Sequence, residues 1–404
     1  MTAKSIQQFL AAARAAVRRG MLESTSGKIL LVTGNESADL DSFASSLVFA
    51  YLTDSHAQYT TPGKLTGYDN IIPMLNIARE EISLRPELHY ALARLRIPES
   101  DIICKDEFLS SIDRSKTDKV DVVLLDHNNL LSDLGDLFGQ NVVTVIDHHV
   151  DEGLYSSAEP RIIAPVGSCT SLVVNYFADY FQLSPNEFSV SDEKKGVARL
   201  ALAPILVDTA NLTSKETQED RGAVAILMKI ISSGTLGASD AQEAYYGELM
   251  TAKRSIDSFS LRDILRKDYK EWLENNGVRV GISSSVKSLI WTVKKFGWNE
   301  FKKGIDSWAK ERKLDAFVFM DSFQDPKEGY RRDLLVAVCS EKGDARVRKF
   351  VDAAQTEFEL EPFSEKDGLG NQNNNDEGVQ CFKQRNLKAS RKQVAPLIRQ
   401  FMQE

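Results

Sequence analysis

Three apolar, strand-like runs in this sequence are followed by acidic, histidine or asparagine residues. Residues 29–33 (ILLVT), 120–125 (VDVVLL) and 142–146 (VVTVI) have the β-branched composition of buried strands, and the last two run directly into residues 126–128 (DHN) and 147–149 (DHH). The carboxyl ends of parallel strands lie along one edge of a sheet, which is where open α/β sheets bind ligands. The pattern therefore predicts a mostly parallel α/β sheet with a functional site at that edge.

Two aspartates, Asp39 and Asp41, follow the first run in a loop that we expect to lead into a helix capped by Ser42. Residues two apart in an extended loop point the same way, so both carboxylates could ligate one metal cluster. A DxD pair by itself is better explained as a solvated loop. The DHN and DHH triplets at the neighbouring strand ends favour the metal cluster. Because adjacent residues on a strand point to opposite faces, one histidine could bind metal while the other reaches a substrate.

Asp208 is a further candidate ligand, because it follows residues 198–206 (ARLALAPIL), a mostly apolar run that is typical of a buried helix. A buried carboxylate needs a cation or hydrogen-bond donors to stay ionised. The alternative is a helix cap, for which Thr213 and Ser214 are better placed. Residues 167–171 (GSCTS) open another predicted helix, whose N-terminus is either capped by these hydroxyl groups or open to an anion.

The composition limits both the architecture and the partners. A chain of 404 residues is too long for one average core, so we expect two domains. Charged residues at 27% and hydrophobic residues at 42% are ordinary for a globular protein, and no apolar run reaches the roughly 18 to 20 residues of a membrane span. The net charge of −8 argues against general binding of duplex nucleic acid, but a local cationic cleft could still bind a polyanion.

The amino terminus and the cysteines bear on cellular location. Residues 1–20 contain arginines and no acids, as in a mitochondrial transit peptide, but their apolar residues recur at helical spacing and favour an amphipathic first helix. The four cysteines lack paired spacing, which indicates neither a disulfide framework nor a zinc site. We therefore expect a cytoplasmic protein, with a mitochondrial fraction as the alternative.

Composition also suggests where the domains divide. Residues 232–244 are rich in Ser, Gly, Ala and Asp, as in a linker or a loop between domains, and we place a first domain at residues 1–235, a linker at 236–250 and a second, smaller α/β domain at 251–404. Two basic runs, residues 260–272 and 386–398, lie in the second domain. Each alone is most simply a solvated helix face.

Four motifs, in this order and at these strand ends, resemble the DHH phosphoesterase family. They are GNESADLDS, LLDHNN, IDHH and ILVDTAN. DYK and SRKQVAP in the second domain resemble the C-terminal domain shared by family II inorganic pyrophosphatases, animal prune proteins and fungal exopolyphosphatases, and GNESAD, IDHH and GSCTSLV are most similar to the fungal exopolyphosphatases. The resemblance covers residues 28–396. It implies a doubly wound, mostly parallel N-terminal sheet with helices on both faces, and a smaller C-terminal α/β domain that closes over the cleft.

The resemblance also implies roles for individual residues. We expect a centre of two divalent ions, Mg²⁺ or Mn²⁺, with Asp126 bridging them and taking part in catalysis. The other implied roles are metal ligation by Asp39, Asp41, His148 and Asp208, catalysis and substrate binding by His149 and Arg391, and substrate binding by Lys270 and Lys392. We add Ser168, at the predicted helix N-terminus, as a substrate-binding residue.

One position departs from the family pattern. Family II pyrophosphatases begin the first motif with a metal-ligating histidine, and the matching residue here is Asn35. An amide oxygen is a harder and weaker ligand than imidazole, so Asn35 is expected to be a weak ligand suited to Mg²⁺ or Mn²⁺. Since fungal exopolyphosphatases share this asparagine, it favours them over the pyrophosphatases.

The activity implied by the resemblance is that of an exopolyphosphatase. Such an enzyme hydrolyses the terminal phosphoanhydride bond of inorganic polyphosphate with metal-activated water and releases orthophosphate. The alternatives are a family II-like pyrophosphatase, a prune-like nucleotide phosphodiesterase and, in a different class, a non-catalytic binding protein on a degenerate phosphoesterase scaffold. The resemblance also suggests a monomer, and we expect neither a nucleic acid duplex nor a membrane as a partner.

Overall fold

A parallel sheet, six-stranded in the part of the chain that the structure describes, lies in the first unit of the fold. Its strands are β1 (Lys28–Thr33), β2 (Tyr68–Leu75), β3 (Ile103–Cys104), β4 (Val120–Leu125), β5 (Val142–Asp147) and β6 (Arg161–Ile163). Their order in the sheet is β3-β2-β1-β4-β5-β6, so the chain reverses its direction of travel between β1 and β4. This is the predicted doubly wound arrangement, and ligands bind such sheets at the point of reversal.

The structure is a computed structural model, and it describes residues 4–19, 27–56, 65–183, 190–233, 238–364, 369 and 378–404. The chain divides into two compact units, Met1–Lys253 and Arg254–Glu404. Each unit combines a sheet with helices, as the sequence predicts. Within the described ranges, no helix is both long enough and apolar enough to cross a membrane.

Helices cover both faces of the first sheet. They are α1 (Ile6–Arg18), α2 (Leu40–Ser55), α3 (Pro86–Arg94), α4 (Lys105–Ser111), α5 (Ser132–Phe138), α6 (Cys169–Tyr176), α7 (Ala178–Phe181), α8 (Asp192–Asp208), α9 (Gln218–Ile231) and α10 (Ala238–Lys253). Leu30 and Val32 of β1 belong to a buried cluster with residues of α2, α6 and α8, whereas Ile29 and Leu31 belong to a second cluster with residues of α1 and α4. This alternation follows from the two-residue period of a strand.

Helix α2 begins one turn earlier than predicted. Its N-cap is Asp39, whose Oδ1 accepts the backbone N–H of Ser42 at 3.0 Å, so Asp41 lies in the first helical turn and not in an extended loop. Aspartate caps a helix as well as serine does. The hydroxyl of Ser42 instead donates to Asp126 at 2.7 Å, which places it at the end of β4.

The predicted linker is largely helical. Residues 238–250 form part of α10, and the chain divides after Lys253, while residues 236 and 237 lie outside the described residues. Alanine, glutamine, glutamate, leucine and methionine, which together supply eight of the residues 238–250, have high helix propensity. A composition rich in small and polar residues therefore concealed a helix.

A mixed sheet forms the centre of the second unit. Its strands are β7 (Tyr269–Leu273), β8 (Arg279–Ser285), β9 (Ala316–Asp321), β10 (Phe323–Asp325), β11 (Gly329–Val338), β12 (Leu360–Pro362) and β13 (Val379–Gln384). The order is β12-β13-β11-β9-β8-β7, with β10 paired to β11. Strands β8 and β9 are parallel and the other pairs are antiparallel. The helices are α11 (Leu261–Lys267), α12 (Leu289–Phe296), α13 (Trp298–Arg312), α14 (Glu341–Glu357) and α15 (Arg391–Gln403).

Candidate metal centre

The candidate ligands of the first unit meet at the carboxyl ends of β1, β4 and β5, where the order of the sheet reverses. Strand β1 leads into residues 34–39, β4 into Asp126, and β5 into His148 and His149. Two residues at these ends have left-handed backbone conformations, Ala38 with a φ of 44° and Asp126 with a φ of 63°. Such conformations cost roughly 1 to 3 kcal/mol each and cluster at functional sites, where surrounding contacts hold them.

Asp126 is buried at the centre of this edge, with 2% of its surface exposed. Its Oδ2 accepts hydrogen bonds from Nδ2 of Asn35 at 2.8 Å and from the hydroxyl of Ser42 at 2.7 Å. Its Oδ1 accepts no hydrogen bond from the described residues, and it lies 3.2 Å from Nε2 of His148 and 3.7 Å from Nδ1 of His149. A buried carboxylate oxygen without a donor is unfavourable unless it faces a cation.

The two histidines are oriented by their Nδ1 atoms. Nδ1 of His148 lies 3.0 Å from the carbonyl oxygen of Val166, so this nitrogen donates its proton there and the ring directs Nε2 towards Asp126. Nδ1 of His149 lies 2.8 Å from Oδ1 of Asp147. The expectation that the histidines point to opposite faces of a strand is wrong. Strand β5 ends at Asp147, and both rings follow in a bend that turns them towards Asp126.

Asp147 organises this bend. Its Oδ1 accepts the backbone N–H groups of His148 at 2.7 Å and His149 at 3.1 Å, and its Oδ2 accepts Nδ2 of Asn128 at 2.5 Å. Burial by itself would raise the pKa of Asp147, but the hydrogen bond and charge of His149, together with the bond from Asn128, lower it to about 2. The ionised carboxylate therefore fixes the ring of His149.

Asp41 is also buried, and its carboxylate caps helix α6. Its Oδ1 accepts the hydroxyl of Ser168 at 2.8 Å and both the backbone N–H and the hydroxyl of Thr170, at 2.9 and 2.6 Å, while Oδ2 accepts the N–H of Cys169 at 2.7 Å. A carboxylate of the chain itself thus fills the helix N-terminus that the sequence left open to an anion. Ser168 is fully buried, and it supports Asp41 in place of the predicted substrate contact.

A second buried carboxylate, Asp220, holds the turn that precedes α6. Its Oδ2 accepts the N–H of Gly167 at 2.8 Å, and its Oδ1 accepts the hydroxyl of Ser171 at 2.6 Å. A Cβ atom on Gly167 would lie 2.5 Å from Cγ2 of Thr209 and 2.9 Å from Oδ2 of Asp220, so the turn requires glycine. Sequence reasoning missed Asp220. The T-x-x-D pattern from Thr217 to Asp220 indicates a helix start, but not its contact with a distant turn.

Asp39 and Asp208 complete an acidic cluster around Asp126. Burial, followed by the charges of Asp39 and Asp41, raises the pKa of Asp126 to about 6. Burial, followed by the charges of the same two acids, raises the pKa of Asp208 well above its usual range. Asp208 is the last residue of α8, where the helix dipole disfavours a negative charge, and Thr217 caps the next helix. A cation bound among these carboxylates would favour their ionised forms.

Asn35 turns its amide nitrogen towards this cluster. Nδ2 donates to Oδ2 of Asp126 at 2.8 Å, while Oδ1 accepts the backbone N–H of Ser37 at 2.8 Å. The amide oxygen, which the sequence predicts to be a weak metal ligand, is thus engaged within its own loop. In this geometry Asn35 supports the position of Asp126.

The arrangement fits a divalent metal. One ligand atom each from Asp126, His148 and His149 lies within 4.8 Å of the others. Carboxylate oxygens and imidazole nitrogens are common ligands of divalent transition metals such as Mn²⁺. The Oδ1 of Asp126, which lacks a donor among the described residues, and the Nε2 of His148 face each other, so a bound cation would satisfy both.

Comparison with known proteins identifies the family. The family model "DHH family, N-terminal domain" matches residues 29–205, and the model "DHHA2 domain" matches residues 247–401. A protein of Schizosaccharomyces pombe named "Putative exopolyphosphatase" is 34% identical over 402 residues, a match that covers 97% of this chain and 96% of that protein. The chain belongs to the DHH family.

More distant relatives of this DHH protein bear other names. "Exopolyphosphatase PRUNE1" of Mus musculus is 24% identical and covers 92% of this chain and 74% of its own. "Manganese-dependent inorganic pyrophosphatase" of Methanocaldococcus jannaschii is 26% identical and covers 62% of this chain and 69% of its own. The crystal structure of a Methanococcus jannaschii "putative family II inorganic pyrophosphatase" matches with a TM-score of 0.58 at 20% identity, covering 93% of this chain and 100% of that one. This likeness confirms the predicted fold class.

In the DHHA2 domain, Asp268 lies among Arg391, Lys270 and Lys267, which we call the cationic cluster; the first two are predicted substrate-binding residues. A guanidinium nitrogen of Arg391 lies 2.8 Å from Oδ1 of Asp268. Partial burial would raise the pKa of Asp268, but the charges of Arg391, Lys270 and Lys267 lower it. Lys267, which is buried at the end of α11, also belongs to this cluster. It lies in a basic run of the sequence, but sequence reasoning did not predict it as a site residue. Lys392, in contrast, is exposed on the first turn of α15.

Proposed function

We propose that this DHH protein is an exopolyphosphatase that removes the terminal phosphate of inorganic polyphosphate by hydrolysis of a phosphoanhydride bond. The observation that carries the proposal is the buried carboxylate of Asp126, whose Oδ1 faces His148 and His149 at the reversal point of the sheet. The substrate is proposed because the relative that matches nearly the whole chain bears the exopolyphosphatase name.

The proposed centre binds two divalent ions, Mn²⁺ or Mg²⁺. Their proposed ligands are Asp39, Asp41, Asp126, His148 and Asp208. When bound, such ions acidify water and offset the negative charge of phosphate groups. The mutual repulsion of these carboxylates supports a cation here, and the name of the archaeal relative supports manganese.

The protein's own side chains are proposed to orient the substrate and balance its charge. Because Asp147 holds Nδ1 of His149, the Nε2 atom of that ring is available to a phosphate oxygen. Arg391 and Lys270 supply positive charge where negative charge develops on the leaving phosphate chain. Water attacks the terminal phosphorus in line with the leaving oxygen, the bond to that oxygen breaks, and orthophosphate is released without a covalent protein intermediate.

Phosphate release from polyphosphates of different length, from pyrophosphate and from a cyclic nucleotide tests the proposal, with Mn²⁺, Mg²⁺ or Co²⁺ supplied in turn. We expect the highest kcat/KM on polyphosphate. Preferred turnover of pyrophosphate would instead identify a pyrophosphatase, and preferred turnover of the cyclic nucleotide a phosphodiesterase. Metal binding without hydrolysis of any of the three would identify a binding protein on this scaffold.

A further inference from the structure

Arg85 is a buried cation that has no place in the proposed reaction so far. It precedes helix α3, and 5% of its surface is exposed. Nε donates to the carbonyl oxygens of Ser37 at 3.0 Å and Ala38 at 2.9 Å, and Nη2 donates to Ser37 as well. Nη1 donates to the carbonyl oxygen of Glu81 at 2.8 Å. One guanidinium group therefore ties the segment before α3 to the loop between β1 and α2.

That loop, residues 34–39, has a backbone conformation that needs external support. Ala38 has a φ of 44°, and the left-handed region costs a residue with a Cβ atom roughly 1 to 2 kcal/mol. The N–H of Ala38 donates to the carbonyl oxygen of Asn35 at 3.1 Å and closes a turn. Arg85 binds the carbonyl groups of Ser37 and Ala38, which belong to the peptide groups on either side of Ala38. The strained residue is thus held on both sides from outside the loop.

The conformation of this loop determines where two site residues lie. Asp39 follows Ala38 directly and caps α2 by accepting the N–H of Ser42 at 3.0 Å. Asn35, at the other end of the turn, donates to Asp126 at 2.8 Å. If the two carbonyl groups were released, Ala38 could return to an ordinary φ, and both Asp39 and Asn35 would move away from the acidic cluster.

We infer that Arg85 is a positioning residue of the metal centre, because it holds residues 34–39 in the conformation that brings Asp39 and Asn35 to Asp126. The inference deepens the proposed function and rests on it, since it takes Asp39 to be a metal ligand. Residues that orient ligands without binding the metal typically change metal affinity by about 10- to 100-fold. Loss of the Arg85 side chain is therefore expected to appear first as weaker metal binding.

Titration calorimetry of the full chain with Mn²⁺ tests this inference. Arg79→Gln is the control, because Arg79 also donates to backbone carbonyl groups of the first unit, those of Glu99 and Ile102. It also pairs with the carboxylate of Glu107, and none of these three residues is a candidate ligand. We expect Arg85→Gln to weaken Mn²⁺ binding about 10- to 100-fold. Arg85→Lys keeps the charge but loses the forked donors, so its loss should be smaller. Arg79→Gln should bind Mn²⁺ like the wild type.

A second readout separates positioning from chemistry. At saturating Mn²⁺, kcat of Arg85→Gln should return towards the wild-type value, because the defect lies in metal affinity. Unchanged Mn²⁺ affinity in Arg85→Gln, or an equal loss in Arg79→Gln, would overturn the inference. If Arg85→Gln does not fold, Arg85→Lys decides, and wild-type affinity in that variant overturns it.

The same titration keeps the two proposals apart. A wild-type chain that binds Mn²⁺ but releases no phosphate from polyphosphate would refute the proposed function, and the role of Arg85 would then stand or fall on the affinities of its variants. A wild-type chain that binds no Mn²⁺ would overturn both.

Discussion

The acidic edge of the first sheet and the cationic cluster of the DHHA2 domain have opposite electrostatics. At the sheet edge, burial and neighbouring carboxylates raise the pKa values of Asp126 and Asp208, whereas cations around Asp268 lower its pKa despite partial burial. The two units divide in the same way: acids outnumber Lys and Arg in Met1–Lys253, and Lys and Arg outnumber acids in Arg254–Glu404. Each excess predicts a ligand of opposite charge, a divalent cation for the first centre and a phosphate anion for the second.

The largest expected effect is that of Asp126→Asn, which removes the central charge of the acidic edge. Metal-ion catalysis supplies several kcal/mol, so we expect phosphate release from polyphosphate to fall about a thousandfold. Asp121→Asn is the control, because Asp121 lies on the same strand but accepts a hydrogen bond from Tyr68, at 2.8 Å. Near-wild-type turnover in Asp126→Asn would contradict the proposal that this edge binds the metal.

Removal of the metal from the acidic edge should lower the free energy of unfolding of the chain. At 100 times its Kd, Mn²⁺ should raise the wild-type free energy of unfolding by about 2.7 kcal/mol, and EDTA should reverse the gain. Urea unfolding measures this difference. In Asp126→Asn the gain should vanish, while the metal-free variant should be no less stable than the metal-free wild type, since one of several repelling carboxylates loses its charge. A large loss of metal-free stability would show that Asp126 is structural.

Arg391→Ala tests the cationic cluster separately. Loss of a hydrogen bond to a charged group costs about 2 kcal/mol, so we expect kcat/KM on polyphosphate to fall about 30-fold. Arg348→Ala controls for the lost charge, because Arg348 is exposed and pairs with Asp344. Mn²⁺ should stabilise Arg391→Ala as much as the wild type. Loss of that stabilisation would show that the two centres do not have separate ligands.

The first centre could be predicted largely from sequence because its residues adjoin strands. A run of buried β-branched residues predicts a strand, and the end of a parallel strand determines which edge the next side chains occupy. The positions of Asp126 and His148 follow from that rule. The contacts of Asp220 with Gly167 and of Arg85 with Ala38 join positions far apart in sequence, and no local pattern indicates them.

Competition between possible helix caps accounts for two further differences between the predicted and the observed structure, at the N-termini of α2 and α6. Asp39 and Ser42 are both good N-caps, and the choice depends on Asp126, which accepts the hydroxyl of Ser42. The helix N-terminus at Ser168, where a substrate contact is predicted from the sequence, instead receives a carboxylate of the chain itself. The carboxylate is that of Asp41, whose proximity depends on the packing of α2 against α6.

The smallest expected effect concerns Asp268, the anion inside the cationic cluster. Partial burial opposes its ionisation, but Arg391 and Lys270 lower its pKa in the folded chain. A carboxylate whose pKa is lowered stabilises the fold above its unfolded pKa of about 3.9, and that stabilisation is lost as the pH falls below this value. The side chain of Asp268 is 44% exposed, so water screens the ion pair and its contribution should stay below about 1 kcal/mol. Urea unfolding of Asp268→Asn should therefore show a small deficit at neutral pH that disappears in acid.

The same variant sharpens the contrast between the centres, because Asp268 competes with phosphate for Arg391. Neutralising it should lower KM for polyphosphate while leaving the Mn²⁺ stabilisation unchanged. A higher KM would mean that Asp268 orients Arg391 for the substrate, as Asp147 orients His149 in the first unit. Both centres would then use an ionised carboxylate to fix a phosphate-binding side chain. They would differ only in net charge, which is negative at the acidic edge and positive in the cationic cluster.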